Sequence, residues 1–100
     1  MLESKIFETV FACKWTWRIL VLLGEGFTRP SEILKNCPTL SSKILFARLR
    51  KLQDLGLCYR VVEPRKLPIE VRYRLNNSGK KLYRLVKRVI ELEKTLSLRA

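Results

Sequence analysis

The sequence predicts a mainly α-helical domain carrying one small β-hairpin. Three observations lead there. Apolar residues recur at helical spacing over residues 2–11, 14–23, 30–37, 41–56 and 78–97, and alternate strictly only over 69–75. Serines, prolines and glycines punctuate the boundaries between those stretches. The chain has 100 residues, 47% hydrophobic and 30% charged, enough for one core and one domain over 1–100.

Leu2, Ile6, Phe7, Val10 and Phe11 share one side of a short amphipathic helix. A second helix runs from about Lys14 to Leu23 and stops at Gly24-Glu25-Gly26. Trp15, Ile19, Leu22 and Leu23 form its apolar stripe, a spacing that favours packing over ligand binding. Pro30 suits the first turn of a third helix, PSEILKNC, and Arg29 before it is biased toward extended backbone. Ser41 is placed to cap a fourth helix, SSKILFARLRKLQDLG, that ends at Gly56. Only about Pro38 to Leu40 separate these two helices, and a short helix, a tight turn and a longer helix outline a helix-turn-helix.

Ile69, Val71, Tyr73 and Leu75 then alternate with Glu70, Arg72 and Arg74, a strand with one solvated face, and LCYRVVE reads as its partner. Two prolines stiffen the tip Pro64-Arg65-Lys66-Leu67-Pro68, from which two bases project, making a basic wing. The fold class is thus a winged helix-turn-helix. Ser78 or Asn77 is expected to cap the last helix, where Leu82, Leu85, Val89, Leu92 and Leu96 form a heptad-like seam widened by Val86 and Ile90. That stripe is wide for one small body. Part of it is expected to meet a second copy, a homodimer through residues 1–13 and 78–97 with Ile6, Val10, Leu85, Val89, Leu92 and Leu96 at the interface; the alternative is that the whole stripe folds back on its own domain.

Composition narrows the chemistry. Histidine is absent, and Cys13, Cys37 and Cys58 form no C-x-x-C pair or closed disulfide framework. The four glycines make no phosphate-cradling loop, and the acids do not cluster as a catalytic pair. Neither an enzyme nor a metal or cofactor site is expected. The longest apolar run, Trp15 to Leu23, contains Arg18 and falls well short of the roughly 20 residues of a membrane span. The N-terminus is unlike a secretory signal, so a soluble, cytoplasmic protein is expected.

Lys and Arg number 21 against 9 Asp and Glu, a net charge of +12. Residues 41–90 hold fourteen bases and three acids, nearly the whole excess. Crowding like charge costs self-repulsion that a polyanion relieves, so double-stranded DNA is the favoured partner. On the fourth helix Leu45, Leu49 and Leu52 converge on a core face, and Lys43, Ala47, Arg50 and Asp54 lie opposite, flanked by Ile44, Lys51 and Phe46. A major groove admits one such helix. Arg50 can grip guanine with two parallel bonds and Lys43 with one, while Ala47 permits close approach. Phe46 reads equally as a thymine-methyl contact or as packing. Ser42 is the hydroxyl contact to phosphate, since Ser41 serves as cap. Arg65 and Lys66 of the wing, with Arg72 and Arg74 of the strand and Lys80 and Lys81 beyond it, are flanking phosphate candidates. Structured RNA and an acidic protein remain alternative partners for the same basic face.

Four segments in order resemble the HxlR family of winged helix-turn-helix transcriptional regulators, related to MarR proteins: KWTWRIL, RPSEILKNCPTLS, LFARLRKLQDLGLCYR and LPIEVRYRLNNSG. The resemblance implies a homodimer on a partly palindromic operator, base reading by the helix after Ser41, and backbone contact at Arg65 and Lys66. Pro30, Asn76 and Cys13 depart from the family pattern, which usually has an aromatic, a threonine and a glycine there. Some relatives sense oxidants through an N-terminal cysteine. Cys13 lies later than that sensor, so a buried, inert thiol is the favoured reading, with oxidation or an intersubunit disulfide as its competitor.

Overall fold

The computed structural model describes residues 3–99, so Leu2 lies outside the described residues. A π-helical turn (Ile6–Phe11) leads into α1 (Lys14–Gly24), α2 (Pro30–Asn36) and α3 (Ser42–Asp54). Strands β1 (Cys58–Glu63) and β2 (Glu70–Leu75) follow, and α4 (Asn77–Arg99) closes the chain. The strands run antiparallel from Cys58↔Leu75 to Glu63↔Glu70, with the wing tip between them. The Thr28 carbonyl accepts the Tyr73 amide at 2.8 Å, so the segment entering α2 lies along the other edge of β2. This is the winged helix-turn-helix that the sequence predicts.

The core gathers around α1, which packs against α3, α4, β2 and the N-terminal turn. Thr16, Ile19, Leu20 and Leu23 are buried, whereas Trp15 and Leu22 are half-buried. The expected stripe omitted Leu20, because a helix enclosed on several sides buries more than one face. Ile33 of α2, Leu45, Leu49 and Leu52 of α3, and Leu82 and Val86 of α4 complete the core with Tyr73 and Leu75 of β2.

In the N-terminal turn the Ala12 amide donates to the carbonyl of Phe7 at 3.0 Å, five residues back. Val10 is entirely buried in this chain's own core, and Ile6 packs half-buried against it. Val10 therefore has no surface to offer a second copy, which corrects its assignment to a dimer interface. Phe7, 66% exposed, is the apolar side chain this turn leaves outside.

Both long helices before the hairpin end in the same two bonds. Gly26 donates to Leu23 and Phe27 to Leu22; Gly56 donates to Gln53 and Leu57 to Leu52. Gly56 has φ +75°, a conformation that any side chain would strain. The cap of α4 differs from expectation: Asn76, rather than Asn77 or Ser78, accepts the Gly79 amide on Oδ1 at 2.9 Å. Its Nδ2 also donates to the Gly56 carbonyl at 2.7 Å, joining the end of α3 to the start of α4. Gly79 is required there, because a Cβ would stand 2.0 Å from the Leu57 carbonyl oxygen.

Farther along α4, the Tyr83 hydroxyl and Lys87 ammonium donate to Glu25 at 2.8 and 3.1 Å, tying the helix to the end of α1. Leu82 and Val86 face inward, whereas Leu85, Val89, Leu92 and Leu96 are each 53–58% exposed.

Candidate nucleic-acid interface

α3 is positioned from its cap inward. The Ser41 hydroxyl accepts the Ile44 amide at 3.2 Å, which fixes where the helix begins. Leu45, Leu49 and Leu52 then have no exposed surface at all. Burying each is worth about 1.5–3 kcal/mol, so together they set the rotation of the helix about its axis. That rotation leaves Ser42, Lys43, Phe46, Ala47, Arg50 and Lys51 exposed. All six residues named from the sequence thus share the outer surface of one thirteen-residue helix. Its length, about 20 Å, and its lack of acids before Asp54 suit a groove lined with phosphates. Phe46 and Arg50 border a depression of about 400 Å³ with Gln53, Asp54 and Tyr73, so the outer face of α3 runs onto the hairpin.

Arg48, three residues from Leu45, is half-buried, and its Nε is buried without a hydrogen-bond partner among the described residues. Its charge reaches Cys13, the residue just before α1. Burial pushes the Cys13 thiol up, but hydrogen bonding at Thr16 and Trp15 and the charge of Arg48 outweigh it and hold the thiol below the ordinary cysteine value. Cys13 is half-buried and free, as are the buried Cys37 and Cys58. Burial raises Cys37, and pushes Cys58 up to about 11.

The wing bases are not equivalent. Arg65 is exposed, its amide donating to Glu63 at 3.3 Å, and its side chain joins no ion pair among the described residues. Lys66 reaches back to Glu70, Nζ to Oε2 2.9 Å. Glu70 also takes Arg29 at 2.6 Å and Arg72 at 2.5 Å. The hydrogen bond from Lys66, with Arg29 and Arg72 behind it, outweighs the opposing effect of burial and holds the Glu70 carboxyl down at about 2, so it stays ionised wherever binding would be measured. Arg72 further donates to the Thr28 hydroxyl at 2.8 Å. It is therefore tied into this cluster, 30% exposed, rather than standing free on the strand as the alternating pattern suggested.

Arg74 sits elsewhere again. Tyr73 faces the α3 side, so Arg74 projects from the opposite face of β2, lining a concavity of about 480 Å³ with Tyr59, Lys80, Tyr83 and Arg84. The structure does not bring Arg74 together with the α3 residues. Glu70 and Arg29 are the residues that reading by position missed. The only signal was that Glu70 shares the solvated strand face with Arg72.

Among the described residues, no group of three or more His, Cys, Asp or Glu side chains could hold a metal ion. No helix there is long and apolar enough to cross a membrane.

The chain is similar to known proteins over most of its length. It is 39% identical over 74 residues to the HTH-type transcriptional regulator YdzF of Bacillus subtilis, covering 73% of this chain and 67% of that one. It is 37% identical over 67 residues to an HTH-type transcriptional regulator of Methanothermobacter thermautotrophicus, covering 67% of this chain and 50% of that protein. Among solved structures, the HTH-type transcriptional regulator YtcD superposes with a TM-score of 0.80 at 27% identity, over 93% of this chain and 96% of that one. The reduced form of the transcriptional regulator YodB from B. subtilis gives 0.76 at 27% identity, over 91% and 90%. The family model for the HxlR-like helix-turn-helix matches residues 10–98, and the chain belongs to that family.

Proposed function

We propose that the protein is a homodimeric regulator of transcription that binds duplex DNA sequence-specifically at a partly palindromic operator, with α3 of each protomer in the major groove. The observation that carries this reading is the division of α3 into a fully buried leucine face and an exposed face bearing Lys43, Ala47, Arg50 and Lys51. In the dimer the two helices enter successive major grooves about 34 Å apart, and the wings lie along the flanks. Arg50 reads a base edge, Ser42 and Lys51 hold phosphates beside it, and Arg65 holds the backbone beyond. The second copy is expected on the exposed α4 stripe Leu85, Val89, Leu92 and Leu96, where family membership supports the pairing. Cytoplasmic location follows from this role.

Two substitutions separate reading from holding. Arg50→Ala is expected to cost about 1–3 kcal/mol on the preferred duplex and to relax the choice at one base pair. Arg65→Ala is expected to weaken preferred and random duplexes alike. Quantitative binding to both duplexes checks this, and equal losses on both for the two variants would contradict the assignment.

A further inference from the structure

Glu70 is an acid set into the most cationic part of the chain, where a carboxylate opposes the approach of DNA. Its surroundings show what it gains. Arg29 comes from the cap of α2, Lys66 from the wing tip and Arg72 from β2, and all three close on one carboxylate at 2.6, 2.9 and 2.5 Å. The Arg29 Nε adds a hydrogen bond at 2.7 Å. The Glu70 side chain is only 12% exposed, whereas Arg29, Lys66 and Arg72 are 45%, 63% and 30% exposed. The acid therefore lies beneath and the cations above, in a cluster that stays net positive. The cleft beside it, about 610 Å³, is lined by Arg29, Ser31, Lys66 and Glu70 and, on its larger apolar side, by residues such as Pro30 and Ile69.

We propose that Glu70 is a positioning residue for DNA recognition, gathering Arg29, Lys66 and Arg72 into a fixed phosphate clamp at the base of the wing and thereby lowering affinity for any duplex in favour of discrimination between sequences. Three cations drawn from separate segments repel one another and sample many geometries when left alone. Held by one half-buried counter-charge, they meet the backbone in a single geometry, so phosphates dock at the base of the wing in one register. The inference rests on the duplex-binding reading above.

The test compares Glu70→Gln with Glu63→Gln in the full-length chain. Glu63 is a second acid of the same hairpin, pairing with no cation among the described residues. Both variants add one positive charge per protomer, but only the first releases the clamp. Binding is measured to a duplex enriched from a random pool by the wild-type chain and to the unselected pool. Glu63→Gln is expected to tighten both equally. Glu70→Gln is expected to tighten the unselected pool, to steepen its log–log salt slope by about two per dimer as one cation is freed in each protomer, and to shrink the selected-to-unselected ratio about tenfold. Should Glu70→Gln fail to fold by circular dichroism, Glu70→Asp carries the test: its charge keeps the wild-type slope, while its shorter reach still lowers the ratio. Two glutamine variants that shift both duplexes in parallel would overturn the proposal. So would a Glu70 variant that weakens both duplexes equally. A wild-type chain that binds no duplex would instead sink the reading beneath it.

Discussion

Raising the salt from 50 to 200 mM is expected to weaken duplex binding by about 10³- to 10⁵-fold, the response of a dimer that neutralises roughly 6–10 phosphates. The chain carries +12, nearly all of it between residues 41 and 90, the span that builds α3, the wing and the start of α4. Lys43, Arg50, Lys51 and Arg65 stand on its exposed surface, and the Glu70 cluster presents three more cations with one acid beneath them. Four or five of these meeting phosphate in each protomer account for that slope. Titrations at several salt concentrations measure it. A response flatter than tenfold over the same range would show that phosphate neutralisation does not drive binding.

Val89→Glu is expected to abolish dimerisation and, with it, to reduce operator affinity by about 10²- to 10⁴-fold, because the second half-site then no longer binds as part of the same molecule. Val89 lies at the centre of a stripe whose four members are each more than half exposed. In the proposed dimer a glutamate carboxylate buried at this position has no partner. The stripe makes no contribution to the protomer's own core, so the variant is expected to keep its fold. Sedimentation or light scattering reads the mass, and circular dichroism reads the fold. A variant that remains dimeric would move the interface away from α4.

The sequence was most legible where a local rule decides the outcome. Ser41 and Gly56 bracket α3 because a hydroxyl acceptor and a positive φ are set by chemistry within a few residues. The hairpin followed from alternation, and the buried leucines of α3 from helical periodicity. The outcomes that went otherwise depend on tertiary neighbours. Periodicity marks Val10 as apolar but does not say which body covers it. Asn76 outcompetes Asn77 and Ser78 as cap because its amide also reaches the Gly56 carbonyl, twenty residues back. Glu70 acquires Arg29 from 41 residues away, a partner only the folded chain supplies. Alternation places Arg74 on a solvated face of β2 without saying that its end of the strand lies beside α4, with Lys80, Tyr83 and Arg84.

The most direct test of the whole account is selection of bound duplexes from a random pool by the wild-type chain, read for the number and spacing of enriched motifs. Two inverted half-sites, centred one helical turn of about 10–10.5 base pairs apart and each reduced in information by Arg50→Ala, are the predicted result. A pool that emerges without enrichment, or with a motif indifferent to Arg50, would contradict base reading by α3.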